Sequence, residues 1–388
     1  MCTRTAVLAA IMFVTCLPLA LATGEPVGTF PGWEERAVQQ LMNRARVDPA
    51  SELAGCGANC SAAELSGCYA AVAPLTWTYK LNQSARFHSA SMAKNGFFAH
   101  DTPFVVRNDI AGVYPVSCDG SASCASSGAG ATTAPNRIAL FGATMSGEII
   151  AGGQPSPTAA FYAWLYEPAP AAACGFSTAN GHRYLILTGG PTVGVGYAAG
   201  GPYANYWSGD FGYPMASIPK VPSGSHWGPG GERQAASVGF WANWYSNAGP
   251  LSAQLFVDTV AYPMTLGRGS QTNGAWTATV SGLGTGCHRY YFSFQDGAGT
   301  TRYPTTGTLG VGPAASCPDY QAATSVASGD VNGDGVVNAS DVFYLVNYVF
   351  AAGPAPVGKA DVNADGSVNP ADVVYLINYL FAAGSVPR

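Results

Sequence analysis

Apolar residues recur at two different spacings along this chain, and the spacing separates helical from strand-like regions. Apolar side chains return every three to four residues over 33–46 and over 81–95, which predicts two amphipathic helices. Short runs rich in aromatic and β-branched residues predict strands over 184–187 and 193–197 and around Tyr206. The first half of the chain is therefore predicted to be α+β, with helices packed on a sheet.

The third quarter of the chain alternates between inward and outward side chains, as strands do. Tyr290, Phe292 and Phe294 fall on one face of a predicted strand, and apolar residues over 238–244 repeat the pattern. Short strands separated by turn residues predict an all-β sandwich of the immunoglobulin-like kind. Its aromatic residues, including Trp276, are expected to fill the core of a spacer domain, with carbohydrate binding as the alternative.

The last part of the chain is an internal repeat. Residues 330–353 and 361–384 align without gaps at a spacing of 31 residues, and 17 of 24 positions are identical. An apolar stripe in each copy predicts helices over 342–350 and 373–381. The predicted shared core consists of Val342, Leu345, Val349, Val373, Leu376 and Leu380. The tyrosines of the repeat are assigned either to this core or to an interface, and they are Tyr344, Tyr348, Tyr375 and Tyr379.

Each repeat opens with a loop whose oxygen-bearing residues stand at the spacing of a calcium-binding loop. Calcium takes six to eight oxygen ligands, and this spacing wraps them around one point, with a glycine at the sharp turn. All six acidic residues of 327–388 lie at loop positions one, five and twelve, which a plain acidic surface would not produce. Two calcium ions are therefore predicted, the first held by Asp330, Asn332, Asp334, the carbonyl of Val336, Asn338 and Asp341, and the second by Asp361, Asn363, Asp365, Ser367, Asn369 and Asp372.

The N-terminal segment has the pattern of a secretory leader. An apolar run over 6–22 follows one basic residue and ends in Ala20-Leu21-Ala22, so cleavage is expected after Ala22. A membrane anchor is the weaker alternative, because the run is short for a bilayer span of ~20 residues and Pro18 interrupts it. We expect an extracellular protein without a membrane span.

Composition and cysteine content agree with export. Charged residues make up 10% of the chain, against about 25% in an ordinary soluble protein, and the net charge of −5 argues against nucleic acid as a partner. Eight cysteines remain after the leader, which predicts disulfides in an oxidising compartment, with a zinc site as the weaker alternative. Cys287 is expected to pair with Cys317, and the other pairings stay open.

Proline- and glycine-rich segments between the patterned regions set the predicted domain boundaries. We divide the chain into a leader (1–22), an α+β domain (30–216), a β-sandwich (235–318) and a calcium-loop module (327–388).

The order of short motifs in the α+β domain resembles the CAP superfamily (cysteine-rich secretory, antigen 5 and pathogenesis-related-1 proteins) in its bacterial form. The motifs run from Phe97-Phe98-Ala99-His100 through Gly147-Glu148 and Tyr166-Glu167 to Gly181-His182. The resemblance covers roughly residues 33–213 and implies an α-β-α sandwich with a central cleft. Its family tetrad of two histidines and two glutamates falls on His100, Glu148, Glu167 and His182.

This tetrad leaves two functional interpretations open, beside a structural one in which the four residues form a buried hydrogen-bonded network that stiffens the sandwich. Imidazole and carboxylate groups in one cleft suit a divalent metal such as zinc, and they also suit proton transfer. The resemblance implies either a domain that binds a lipid or cell-wall ligand, or a metal- or acid/base-dependent hydrolase. Many family members have Asn where this chain has Ile149, which favours binding. His88 matches a helix position outside the tetrad and is expected to be structural.

The loop-helix repeat is similar to dockerin type I modules, which bind cohesin modules through a helix face. In that family the contacts centre on loop positions ten and eleven and the following helix, and here those positions are Ala339-Ser340 and Pro370-Ala371. The resemblance implies a cohesin-like partner. We also predict that the module folds only with calcium, because metal binding supplies folding free energy that so small a core lacks. The chain is thus predicted to be a secreted modular protein, tethered to an extracellular scaffold or cell surface.

Overall fold

The computed structural model describes most of the chain beyond the predicted leader. The described residues are 30–168, 170, 174–213, 217–321, 327–332, 337–351, 353, 356 and 358–388. The predicted leader and two predicted calcium ligands, Asp334 and Val336, lie outside the described residues.

The structure contains the helices and strands that the patterns predict, apart from one predicted strand over 184–187, together with further elements that the patterns did not single out. The helices are α1 (Trp33–Val47), α2 (Pro49–Leu53), α3 (Ala62–Ser66), α4 (Tyr79–Asn95), α5 (Ile110–Val113), α6 (Ala134–Leu140), α7 (Pro157–Leu165), α8 (Gly181–Thr188), α9 (Ala339–Ala351) and α10 (Pro370–Phe381). The strands are β1 (Thr76–Trp77), β2 (Thr144–Gly152), β3 (Thr192–Ala199), β4 (Asn205–Tyr213), β5 (Gly224–Trp227), β6 (Ser237–Tyr245), β7 (Ser252–Val257), β8 (Val260–Pro263), β9 (Thr265–Gly269), β10 (Asn273–Ser281), β11 (His288–Asp296), β12 (Gly299–Tyr303), β13 (Thr308–Val311) and β14 (Tyr320–Gln321).

The first domain is an α-β-α sandwich around a sheet of order β1-β3-β4-β2. On one face, apolar residues of α1, α7 and α8 pack with those of β2, β3 and β4 in one buried cluster. On the other face α4 crosses β3 at Gly194 and Gly196, where a Cβ atom would lie 2.0 Å from Asn82 N and 2.1 Å from the carbonyl carbon of Ala85. These glycines are needed because only a bare backbone lets the helix approach so closely.

The β-sandwich consists of one sheet of order β5-β6-β10-β9 and another of order β14-β13-β11-β7-β8, with β12 paired to β11. The predicted alternation is confirmed, because Phe240 and Trp244 share one buried cluster with Tyr290, Phe292 and Phe294. The sheets also include β5 and β14, which lie outside the range 235–318. The middle of the molecule is all-β, as predicted.

Helix α1 is buried along nearly its whole length because it lies between the rest of the first domain and the sandwich. Gln40 Nε2 donates to Asn243 Oδ1 of β6 (2.7 Å), and Ser223 Oγ donates to Gln40 Oε1 (2.7 Å). Asn43 Nδ2 donates to Ser223 Oγ (2.9 Å), while its Oδ1 accepts from the Leu75 N–H (2.6 Å). Buried amides must be hydrogen-bonded, and here their partners come from both domains.

The predicted strand over 184–187 is wrong, because these residues belong to helix α8. A short apolar run fits a buried strand and a buried helix equally well. The helix prevails because Ile186 and Leu187 face the core and because Glu167 satisfies two N–H groups at the helix start. The other helices and strands that the hydrophobic pattern predicts are present.

All eight cysteines beyond the predicted leader are paired in disulfides, which confirms the first interpretation of them rather than the zinc alternative. The predicted pair Cys287–Cys317 is present. The pairings that the sequence left open are Cys56–Cys60, Cys68–Cys174 and Cys118–Cys124.

The C-terminal module contains α9 and α10 packed on each other around a small core. Leu345 and Leu376 are fully buried, and the predicted core is confirmed, with Val349 and Leu380 packed at its edge. Tyr344, Tyr375 and Tyr379 are half-buried against the same core. Within the described residues, no helix combines the length and the apolar character that crossing a membrane requires.

Candidate functional site

The first predicted histidine and glutamate form a pair at the edge of the first sheet. Glu148 lies on the edge strand β2, and His100 lies in the loop after α4. His100 Nδ1 lies 2.8 Å from Glu148 Oε1. The His100 side chain is 52% exposed, whereas that of Glu148 is 1% exposed. A buried carboxylate thus orients an imidazole that remains accessible from solvent.

A fully buried arginine holds this pair in place. Arg137 of α6 forms an ion pair with Glu148 Oε2, and its Nη1 donates to the carbonyl of His100 (2.7 Å). Burial by itself would raise the pKa of Glu148, but the neighbouring His88 imidazole, the charge of Arg137 and the hydrogen bond with His100 together outweigh it and lower the pKa to about 2. Glu148 is therefore a carboxylate at neutral pH.

A second carboxyl group lies buried beside the first. Asp210 of β4 stands opposite Glu148 in the β2–β4 register and is fully buried. Its carboxyl group lies within hydrogen-bonding reach of the Ser84 hydroxyl and of the Glu148 carboxylate. Burial and the negative charge of Glu148 raise the pKa of Asp210 well above its ordinary value. Because two neighbouring carboxyl groups resist ionising together, Asp210 is the neutral member of the pair.

His88 belongs to the structure beneath the site. It is fully buried on α4, and its Nε2 lies 2.9 Å from the carbonyl of Ala99, next to His100. Burial lowers the pKa of His88 to about 3, so the ring is neutral and Nε2 donates to that carbonyl. This contact positions the loop that contains His100.

The second predicted pair lies where α8 begins. Glu167 accepts hydrogen bonds from the N–H groups of His182 (3.2 Å) and Arg183 (3.0 Å), and His182 Nδ1 lies 2.9 Å from Glu167 Oε1. Arg183 is fully buried, donates to the Leu165 carbonyl (2.7 Å) and pairs with Glu64. The second pair has the same arrangement as the first. Its imidazole is more accessible than its carboxylate, which is buried, and a buried arginine lies beside both.

The four residues form two separate His–Glu pairs rather than one metal cage. Among the described residues, no group of three or more His, Cys, Asp or Glu side chains is placed to hold a metal ion. A catalytic zinc site normally has three protein ligands, and the two imidazoles are each engaged by their own glutamate. This arrangement of side chains does not support the predicted zinc site.

No sequence pattern distinguishes Arg137, Arg183 or Asp210 as site residues. Each is fully buried, and each touches or neighbours a residue of the two pairs. A charged residue inside a short apolar helix or strand was the available signal, and it does not distinguish a buried ion pair from an exposed side chain.

The second calcium-type loop is fully described, and its residues lie in one compact turn. Asp372 accepts hydrogen bonds from the N–H groups of Val362 (2.9 Å) and Asn369 (2.9 Å), and Asp341 makes the equivalent bonds in the first loop. Gly366 has φ +91°, which suits the sharp turn at position six. The donor set consists entirely of carboxylate, amide, hydroxyl and carbonyl oxygens, which fits calcium.

Both helices of this module expose apolar side chains on the side away from their shared core. Phe343 (74% exposed) and Phe350 (64%) on α9 correspond to Val374 (57%) and Phe381 (67%) on α10. Contiguous exposed apolar patches are typical of surfaces that bind another protein.

Comparison with known proteins assigns the two ends of the described chain. The cysteine-rich secretory protein (CAP) family matches residues 39–211, and the dockerin type I domain matches residues 328–381. A search of the curated proteins finds no significant match. A solved structure titled "Crystal structure of Br derivative BhCBM56" is 18% identical, is matched over 25% of this chain and 96% of its own, and has a TM-score of 0.18. The chain therefore contains a CAP domain of the cysteine-rich secretory protein family, followed by a dockerin type I domain.

Proposed function

We propose that this protein is an extracellular adaptor. Its CAP domain binds a ligand beside His100 and His182, and its dockerin attaches it to a cohesin module of a scaffold in a calcium-dependent manner. The observation that carries this proposal is the matched pair of exposed apolar stripes on α9 and α10. CAP and dockerin domains are both typical of secreted or extracellular proteins.

The dockerin presents an apolar surface that another protein would cover. Equivalent residues of the two repeats, such as Phe343 and Val374, are exposed, while Leu345 and Leu376, two residues further along each helix, are fully buried. The helices therefore use one face for their own core and leave a second apolar face for another protein. Small residues at loop positions ten and eleven, such as Ala339 and Ala371, leave room for that partner at the start of each helix.

Calcium is the ion that the two loops suit. Residues 327–388 contain six carboxylates and two cations, and the carboxylates stand at the ligand positions of the loops. Without a cation these carboxylates repel one another, and the two-helix core is too small to offset that repulsion alone. Calcium binding would therefore supply part of the folding free energy of the module.

The CAP site favours binding over covalent catalysis. Both imidazoles are oriented by buried carboxylates and are accessible, which suits hydrogen bonding to a polar group of a ligand. The cysteines of the domain are engaged in disulfides, so none is free to act as a nucleophile. We propose a lipid or cell-wall fragment as the ligand, and hydrolysis of such a molecule is the alternative that the test below distinguishes.

The tether is tested by cohesin capture on a panel of immobilised cohesin modules. We expect capture in calcium, loss of capture in chelator, and loss in a double variant, Asp334→Ala with Asp365→Ala, whose CAP domain stays folded. Capture by the double variant equal to wild type would disprove the calcium-dependent tether.

The CAP site is tested separately with lipid vesicles and peptidoglycan fragments. Wild type is compared with a double variant, His100→Ala with His182→Ala, in both a binding and a cleavage assay. Binding without cleavage, lost in the variant, supports the adaptor. Cleavage lost in the variant would make the domain a hydrolase, and equal behaviour of both proteins would remove the tetrad from the function.

A further inference from the structure

A cleft of about 630 Å³ lies between the CAP domain and the β-sandwich. Its walls come from α1 and α7 on one side and from β5, β6 and β10 on the other. A smaller cleft of about 350 Å³ adjoins it and shares Pro155, Ser156 and Gly230. The residues of the two His–Glu pairs line neither cleft. The volume of the larger cleft is within the range of about 300–1,000 Å³ that is usual for small-molecule sites.

A pair of parallel indole rings stands at the larger cleft. Trp227 lines it, and the ring of Trp241 lies parallel to that of Trp227, with centroids 6.3 Å apart and planes within 2°. Both tryptophans are half-buried. The Arg44 guanidinium carbon lies 5.5 Å from the Trp227 ring and 5.0 Å from the Trp241 ring, so a cation–π contact from α1 fixes both.

The charge of this cleft is compensated. Arg44 Nε and Nη2 donate to the two carboxylate oxygens of Glu52 (2.9 and 2.6 Å), and Nη2 also donates to the Tyr162 hydroxyl (3.0 Å). A bidentate pair of this kind leaves little net charge to attract an anionic ligand. The remaining polar side chains of the lining are neutral hydroxyls, those of Ser156, Thr158, Ser237 and Thr279.

The cleft is also held rigidly, since both of its walls are joined by buried hydrogen bonds. The bond from Gln40 to Asn243 and that from Trp33 Nε1 to the His226 carbonyl (2.7 Å) connect α1 to the sandwich. A preformed site of this kind loses little entropy when a ligand binds.

We propose that this interdomain cleft binds a neutral oligosaccharide, with Trp227 as the ring on which a sugar stacks. A pyranose presents an apolar C–H face and a rim of hydroxyls, and the cleft presents an aromatic face and neutral hydroxyls. An aromatic face beside a few polar groups is the usual composition of a site for an uncharged ligand of mixed polarity. This function is additional to the dockerin tether and to the CAP site, and it needs both domains.

The test is a binding titration of the full chain with four soluble hexasaccharides. The probes are β-1,4-linked and β-1,3-linked glucose, β-1,4-linked xylose and β-1,4-linked N-acetylglucosamine, followed by tryptophan fluorescence and calorimetry. We expect saturable binding of at least one. Trp227→Ala should weaken it about tenfold or more, as loss of a central aromatic contact does, and Trp227→Phe should retain part of it.

A second variant and a matched control keep the test decisive. Thr279→Met adds bulk to the cleft at an exposed position and should also weaken binding. Tyr291→Ala removes a half-buried ring that stacks on Phe256 on the outer face of the other sheet, and it should leave binding unchanged.

The proposal requires both cleft variants, shown by circular dichroism to be folded, to bind more weakly than wild type. The proposal would be overturned if none of the four probes binds, or if Trp227→Ala or Thr279→Met binds as tightly as wild type. Loss of binding in Tyr291→Ala alone would also overturn it. Cohesin capture is measured on the same variants and should not change, so failure here leaves the tether unaffected.

Discussion

At the scale of the residue, Glu34 is a titratable group that the two-domain contact perturbs. It lies at the start of α1, beside the smaller cleft. Burial and the charge of Asp319 raise the pKa of Glu34 from its ordinary 4.5 to about 7. The folded state therefore binds a proton between about pH 4.5 and 7 that the unfolded state has released. The contribution of Glu34 to the free energy of unfolding is therefore fully present below about pH 4.5 and is lost as the pH rises through about 7.

We predict that Glu34→Gln stabilises the protein at pH 8 by about 1–3 kcal/mol relative to its effect at pH 4.5, because it removes the cost of ionising a buried carboxyl group. Denaturant unfolding at both pH values measures the difference. Glu232→Gln, which removes an exposed carboxylate from the same cleft, is the matched control. An effect of Glu34→Gln that is the same at both pH values would contradict the prediction.

The buried Arg137, which forms an ion pair with Glu148 of the first His–Glu pair, should be sensitive to substitution. Arg137→Met leaves the Glu148 carboxylate buried without its cation, which should cost about 3–5 kcal/mol of unfolding free energy. The double variant with Glu148→Met should recover part of that loss, because no unpaired charge remains. Arg107→Met, which breaks an exposed pair with Asp109, should change stability little. Chemical denaturation of the variants checks this, and equal losses for Arg137→Met and Arg107→Met would refute it.

At the scale of the element, α9 and α10 show how one helix serves two surfaces. Each buries a leucine against the other and leaves aromatic or aliphatic side chains exposed at positions 31 residues apart. Because the repeat is internal, the two exposed faces are close copies of each other. A substitution on one helix leaves the other face intact.

We predict that Phe343→Ser together with Val374→Ser weakens cohesin binding about tenfold or more, since both faces lose an exposed apolar contact. The change should leave the fold intact because neither side chain is in the core. Val386→Ser, at an equally exposed position beyond α10, is the control and should bind normally. Surface plasmon resonance on an immobilised cohesin measures the change, and a double variant that binds as tightly as wild type would move the interface elsewhere.

At the scale of the whole molecule, α1 joins two domains that the sequence presents as separate. Its buried amides bond to both, so the sandwich is part of one packed body with the CAP domain rather than a loose spacer. The dockerin has a core of its own. Unfolding should follow this division.

We predict two thermal transitions in calorimetry, a calcium-dependent one for the dockerin and a calcium-independent one shared by the CAP domain and the sandwich. Chelator should shift the first alone, because the calcium-type loops lie only in the dockerin. Gln40→Leu should lower the unfolding free energy of the second transition by about 1–3 kcal/mol, since it removes the donor to Asn243 Oδ1 and the acceptor of the Ser223 hydroxyl. Three separate transitions in wild type would contradict the single packed body.

The sequence alone determined the elements whose signals are local or repeated. The stripe over 33–46, the alternation over 238–244 and the ligand spacing from Asp361 to Asp372 each predict their structure, because helix period, strand period and loop geometry act over a few residues. Motif order likewise predicts His100, Glu148, Glu167 and His182 as site residues through the family resemblance, and their role stays a prediction.

Tertiary structure decided the rest, because those features depend on what lies opposite a side chain. The run 184–187 becomes a helix through the cap that Glu167 supplies from elsewhere in the chain. Arg137 and Asp210 neighbour Glu148 because α6 and β4 pack beside β2. Trp227 and Arg44 meet only where two domains touch. The hydrophobic pattern indicates which residues are buried. It does not indicate which residues they contact, because those contacts are set by packing between distant segments.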